Sequence, residues 1–455
     1  VGKNLWHLLK KISKFLKCLY GFKRHNLALL AHHTLKSGYQ QFTERLNRFP
    51  QGAPPTETLF RILKILVTEE EAALMAKLPI KPFTVKKAAR CWSVREATAQ
   101  KILDTLADKA MLLDVAMDNK TYYALPPPIA GFFEFSLMRV RQDIDQKLLA
   151  ELFYQYMNVE EDFIKGLFIG GETQLGRTFV QEAVLSSENA LHVMDYERAS
   201  HVIRTAKAIG VGICYCRHKM EHVGKNCDAP MDICMTFGNT ADSLIRHGFA
   251  KSVSPEECLD LLERAYAHHL VQFGENVRQS VSFICNCCGC CCEAMIAARR
   301  FGIMQPVHTT HFLPVVSRTD CNGCLKCVRV CPVEAMTAVS ANDPRQPNTM
   351  TVRIDESRCL GCGVCVRACS AKALSLSRRP ERILTPVNGV HRVVVMAIER
   401  GKLQNLIFDN RALLSHRAMA AILGVILKLP PVKQIMASKQ MKSRYLETLI
   451  QKIKI

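Results

Sequence analysis

The chain contains the run Cys321-x2-Cys324-x2-Cys327-x3-Cys331-Pro332 and then repeats it as Cys359-x2-Cys362-x2-Cys365-x3-Cys369. Three cysteines at this spacing wrap a loop around one face of a compact inorganic core, each thiolate meeting a different metal atom, while a fourth ligand arrives from elsewhere. The second copy supplies it. A zinc site needs four thiolates or imidazoles per ion and does not explain the doubled run. Gly323, Gly361 and Gly363 suit tight turns where a side chain would block the backbone's approach. Ser370 stands where the first copy has Pro332. Proline there orients the chain and ligates nothing, so no ligand is lost.

These eight positions resemble the bacterial (clostridial-type) two-[4Fe-4S] ferredoxins over about residues 316–378. In two-cluster ferredoxins the fourth cysteine of each run ligates the other cluster. That assigns Cys321, Cys324, Cys327 and Cys369 to one [4Fe-4S] cluster, and Cys359, Cys362, Cys365 and Cys331 to the second. The resemblance implies one-electron transfer at low potential.

Eight of the 21 cysteines lie in this module, and ten more form an upstream field. They are Cys214, Cys216, Cys227 and Cys234, then Cys285, Cys287, Cys288, Cys290, Cys291 and Cys292. The spacing fits no zinc finger. Ten thiols in 79 residues can hold one cluster, two clusters, or a cluster and a redox-active pair, and one or two further iron-sulfur clusters are expected. Reduced structural cysteines are a poor alternative, because thiols packed this densely oxidise or scavenge metal. Arg217, His218, Lys219, His222 and Lys225 are placed to offset cluster charge or to receive an acidic partner. Cys18, Cys91 and Cys258 stand alone, and a thiol on the helix expected over Glu256–Gln272 reads as packing.

Clustered cysteines, and a start that lacks the pattern of a secretory leader, point to a reducing cytoplasm. No run of about 18 uncharged apolar residues occurs. The net charge of +20 favours acidic partners. Ten Lys or Arg face one acid, Glu44, in residues 1–50. There, Leu5, Leu8, Leu9, Ile12, Phe15, Leu16 and Leu19 recur at helical spacing opposite Lys3, Lys10, Lys14 and Lys17. Such a helix either lies peripherally on an anionic inner membrane face through residues 1–20 or packs on its own protein.

Gln51–Pro55 reads as a linker. Beyond it, Thr68–Glu71 and Ser93–Glu96 read as capping boxes, Thr84 as another cap, and Leu112–Leu125 as a hairpin about Asp118-Asn119-Lys120. Three helices and a hairpin make a winged helix. Arg95, Lys101 and Lys120 would face DNA, but Glu96, Asp104 and Asp108 lie on the same helix and oppose phosphate, which favours a docking module over nucleic-acid binding.

A helix is expected through Phe133–Met157, another over Tyr196–Ala208 leading into a buried strand at Ile209–Ile213, and strands within Val390–Asp409 before a basic helical tail. Tyr123-Ala124-Leu125-Pro126-Pro127, Gly131-Phe132-Phe133-Glu134-Phe135, Cys214-Tyr215-Cys216-Arg217-His218 and Cys285-Asn286-Cys287-Cys288, in that order, are similar to a family of winged-helix-headed, ferredoxin-tailed 4Fe-4S proteins of anaerobic bacteria and archaea. The similarity spans about residues 56–430 and implies an architecture more than a reaction.

The expected fold is multidomain α+β. A basic helical segment and linker occupy 1–54, a winged helix 55–128, and a central α/β cysteine-rich domain 129–312. A two-[4Fe-4S] ferredoxin module fills 313–380, and a small appended α+β cap with a basic helical arm fills 381–455. The leading function is single-electron relay between a soluble carrier and a partner oxidoreductase, as a carrier or an electron-transfer subunit, with no catalytic base. The alternatives are a redox-sensing DNA-binding regulator and a reductase working at the Cys214–Cys292 centre. No G-x-G-x-x-G or P-loop occurs, so no nucleotide cofactor is expected.

Overall fold

The computed structural model describes residues 36–302, 307–342, 349–380, 385–408 and Ala420. The expected membrane-facing helix in residues 1–20 and the helical tail from Leu413 lie outside these residues, Ala420 excepted. Among the described residues no helix is long and apolar enough to cross a membrane.

Helices Gly38–Leu46, Glu57–Leu66, Glu69–Ala76, Val85–Trp92 and Glu96–Asp108 precede the hairpin of β1 (Leu113–Met117) and β2 (Lys120–Ala124). Asp118 and Asn119 form its turn, both with positive φ, which Asn and Asp tolerate better than most residues. Thr68 and Glu71 make the reciprocal capping box. The box expected at Ser93 does not form. Ser93 instead takes the left-handed conformation that ends the preceding helix, and Arg95 caps the next. Gln51–Pro55 is no solvent spacer either. Gln51 and Ile129 exchange reciprocal hydrogen bonds of 2.8 Å, and Asn47 holds the Ala53 backbone, so the segment is bolted into the core.

The helix expected over Phe133–Met157 is interrupted. Short helix Phe133–Ser136 and helix Gln146–Tyr154 flank a loop whose backbone is bound by the Gln146 side chain through Arg141 N and Arg139 O. Side-chain hydrogen bonds here outcompete helix continuation.

The central sheet has the order β3-β7-β8-β5-β4-β6. Its strands are β3 (Gly176–Thr178), β4 (Ile209–Ile213), β5 (Asp232–Phe237), β6 (Lys251–Ser252), β7 (Val271–Glu275) and β8 (Phe283–Cys287). Every pairing is antiparallel, so the domain is α+β and not the expected α/β. Helices Ala199–Thr205 and Pro255–Ala267 cover one face, burying Ile203, Leu262 and Tyr266 against Ile209, Met235 and Ile284. The second of these helices, expected to run to Gln272, stops at Ala267, and Val271 and Gln272 instead open strand β7. Cys258 lies fully buried in this apolar layer.

The C-terminal module repeats strand, short helix, strand. β9 (Phe312–Val316) pairs with β12 (Leu374–Arg378), and β10 (Met336–Ser340) with β11 (Met350–Ile354), all antiparallel. Helices Lys326–Val330 and Val364–Ala368 stand at equivalent places. The pseudo-symmetry extends to the backbone: Gly323 and Gly361 both have φ +68, and Leu325 and Gly363, Glu334 and Lys372 also pair at positive φ.

Beyond it, residues expected as strands are helices, Gly389–Glu399 and Leu403–Ile407. The run Val393–Ala397 favours strand by composition. Here Asn388 caps a helix, Val394 and Ala397 pack on Leu403 and Leu406, and tertiary burial overrides local preference.

Candidate metal centres

In the C-terminal module, one cavity is lined by Cys321, Cys324, Cys327 and Cys369 together with Gly323, Val316 and Leu374. Of the other four cysteines three sit deeper, and Cys331 is half-buried. Cys359, Cys362 and Cys365 are buried, whereas Cys324 is exposed and Cys321, Cys327 and Cys369 are half-buried. Burial pushes the Cys359 thiol up to about 11 and the Cys362 thiol up to about 12, the latter reinforced by the nearby Cys359 and Cys331. Such thiols are neutral until a metal draws off their protons. At Gly361 a Cβ would lie 2.0 Å from the Phe312 carbonyl oxygen, so the loop closes only around glycine.

The upstream cysteines come from four places on the sheet's other face. Cys214 caps the helix Tyr215–His222 at the end of β4, with Cys216 in its first turn. Cys234 lies on β5 opposite Gly212. Cys285 and Cys287, two apart on β8, project to the same side. Cys292 caps the helix Glu293–Phe301. These six thiols and Glu134 line one internal chamber. Cys292 and Cys287 are 3.1 Å apart at sulfur.

The remaining four, Cys227, Cys288, Cys290 and Cys291, form a separate group whose sulfur atoms all lie within 4.8 Å of one another. Sequence spacing interleaves the two groups; only the fold parts them. Cys288 touches both, lining the chamber as well.

The supporting shell is charged and buried. Lys219 pairs with Glu293, and Asn158 bridges them, accepting from Lys219 Nζ at 2.8 Å and donating to Glu293 Oε2 at 2.8 Å. This fully satisfied triad fastens the helix bearing Cys216 to the helix capped by Cys292. Arg217 is fully buried and donates to the carbonyls of Pro230 at 2.9 Å and Asn286 at 2.8 Å. Among the described residues no carboxylate pairs with it. Burial lowers its pKa, but Cys214, Cys288 and Cys287 raise it further, so the guanidinium is the counter-charge to the thiolates. Arg217, His218 and Lys219 are therefore not the partner-facing patch the sequence suggested, because all three are buried.

Glu134, which the spacing of cysteines could not flag, is pushed up to about 8 by burial and then by the negative field of Cys292 and Glu293. Its carboxyl in the chamber wall thus holds its proton to higher pH than an ordinary carboxylate.

The two cysteine regions meet. A Cβ on Gly289 would lie 2.4 Å from the carbonyl oxygen of Pro332, the residue after Cys331, so the Cys288-Gly289-Cys290 loop rests on the C-terminal module. The Gln181 amide also donates to the Cys362 carbonyl at 2.9 Å, and Arg367 pairs with Glu263 at 3.0 Å.

Residues 320–373 match the family model for a 4Fe-4S dicluster domain. Comparison with curated proteins and with solved structures returned no match. The doubled cysteine runs, their pseudo-symmetric loops and this match make the C-terminal module a ferredoxin-type 4Fe-4S domain, and the chemistry of the chain is iron-sulfur electron transfer.

Proposed function

We propose that the chain is an electron relay running from an exposed ferredoxin face to the interior six-thiol chamber. When bound, [4Fe-4S] clusters supply low-potential one-electron transfer. Cys321, Cys324, Cys327 and Cys369 would hold the outer cluster, Cys359, Cys362, Cys365 and Cys331 the inner one, and four of the six chamber thiols a third. The observation that carries the reading is the packing of the Cys288-Gly289-Cys290 loop on Pro332, because it joins the buried half of the ferredoxin domain to the cysteine-rich domain without intervening solvent.

The gradient of burial supports a direction. Around the outer site, Arg318, Lys326, Arg329 and Lys372 are exposed, and Arg329 donates to the Cys324 carbonyl at 3.1 Å. This rim suits an acidic carrier, with attraction that weakens as salt rises. Residues 55–128 serve, in this reading, as a winged helix used for docking within the chain. Asp114 on β1 pairs with Arg246 at 3.0 Å and accepts from Ser243 at 2.6 Å, while Asp108 meets His247 at 2.7 Å. The C-terminal end of the helix Glu96–Asp108 and strand β1 are thus engaged by the central domain.

The test is stopped-flow reduction by an acidic bacterial-type ferredoxin. The rate is expected to fall with ionic strength, and by about tenfold in the Lys326→Glu, Arg329→Glu double variant, a loss of the size expected for a rim that governs association. A salt-independent rate, unchanged in the variant, overturns the docking face.

One observation favours a reductase reading of the same chamber. Six thiols exceed the four that a cubane needs, and Glu134 adds a proton donor to their wall. A candidate substrate that alters the EPR signal of the third cluster supports that reading, and an unresponsive signal returns the chamber to pure relay.

A further inference from the structure

Four thiols that ligate one ion and four that ligate a cubane stand at different distances. Around a single tetrahedral ion with metal–sulfur bonds near 2.3 Å, neighbouring sulfurs are about 3.8 Å apart. Around a cubane each thiolate binds a separate corner iron, and the sulfurs spread to roughly 6 Å or more. In the outer quartet Cys227 and Cys288 are 3.6 Å apart, Cys290 and Cys291 3.7 Å, and Cys291 and Cys227 3.9 Å. Among the described residues no other group of three or more candidate ligand atoms is so close. The eight cysteines of the ferredoxin runs are not so gathered, and their resemblance is to cubane ligands.

We propose that Cys227, Cys288, Cys290 and Cys291 form a mononuclear tetrathiolate site for a zinc-class divalent ion, distinct from the six-thiol chamber. Three ligands come from one tight loop and the fourth, Cys227, from the exposed stretch after the helix Tyr215–His222. The ion is thus a clasp between two segments. Its four thiolates carry a net double negative charge with the ion bound, and Arg217, buried and without a carboxylate partner among the described residues, lies between this site and the chamber as the offsetting cation. Zinc is chosen over iron because thiolate sites hold zinc more tightly than ferrous iron, and a clasp needs no redox change. The clasp shapes the loop on which the ferredoxin domain rests, since Gly289 lies between two of its ligands. The assignment is independent of what the six chamber thiols hold.

The experiment is metal and acid-labile sulfide analysis of the full chain purified anaerobically, with X-ray absorption at the zinc edge. One zinc per chain is expected, ringed by four sulfurs at about 2.3 Å. Cys290→Ser, at the exposed ligand, and Cys227→Ser should each lose that zinc while iron and sulfide stay unchanged. Cobalt substituted into the wild-type chain should give the visible absorption of a tetrahedral thiolate site. If these variants lose about four iron and four sulfide instead, the quartet holds a cubane. Zinc with nitrogen or oxygen neighbours, iron in excess of sulfide with no zinc, or a quartet that reacts fully with thiol reagents in the native chain each overturns the proposal. The wild-type absorption measurement decides even if the variants do not fold.

Discussion

The ferredoxin domain and the upstream cysteine field are built from the same ligand by opposite strategies. In the first, each short loop delivers three thiols in sequence, and two copies of one motif complete each other. In the second, cysteines adjacent in sequence go to different places. Cys291 joins the outer quartet, whereas Cys292 caps a helix and turns into the chamber. Local spacing determines a site only when one loop makes it; when strands β4, β5 and β8 contribute, register determines it.

The sharpest break of that comparison is to delete one thiol on each side. Cys362→Ser, in the buried half of the ferredoxin domain, is expected to remove about four iron, and Cys292→Ser to remove about four from the chamber with the ferredoxin EPR signals intact. Shared loss in both variants would mean that the two regions are one centre.

Next in size is the buried shell. Lys219→Met strands the Glu293 carboxylate away from water and should cost about 3–5 kcal/mol in denaturant midpoint analysis. The double variant with Glu293→Leu should recover much of that. An equal loss in single and double variants would show that packing, and not the unpaired charge, sets the cost.

The contact between the regions offers a third test. Gly289→Ala drives a methyl into the Pro332 backbone, so electron transfer from the reduced ferredoxin domain to the chamber should slow several-fold while iron content stays constant. An unchanged rate would detach the relay from this contact.

The smallest effect is a pH slope. His308, bridging β3, is pulled down to about 4, first by burial and then by Arg177. Below about 6.5 the unfolded chain binds a proton that the folded chain refuses, so stability falls as pH drops from about 6.5 to about 4. His308→Gln should flatten that part of the midpoint profile, and an unaltered slope would assign it elsewhere.

Much of this was legible in sequence where chemistry is local. The doubled runs, the Thr68 cap, the Asp118-Asn119 turn and strand Ile209–Ile213 are short-range patterns, and each appears at its residues. What escaped depends on packing. The valine run at 393–395 folded as helix because Asn388 and the facing Leu403 and Leu406 decide it. Arg217 became an interior counter-charge because the helix carrying it is covered. The Glu134 carboxyl is raised first by burial and then by Cys292 and Glu293, more than 150 residues away in sequence, which no local pattern could show.

The measurement that tests the central claim most directly is iron and acid-labile sulfide per chain on anaerobically purified protein, with EPR of the dithionite-reduced sample. The relay predicts about twelve of each and a third cluster signal interacting with those of the ferredoxin domain. About eight of each, with two signals only, would contradict it and leave the chamber without a role in electron transfer.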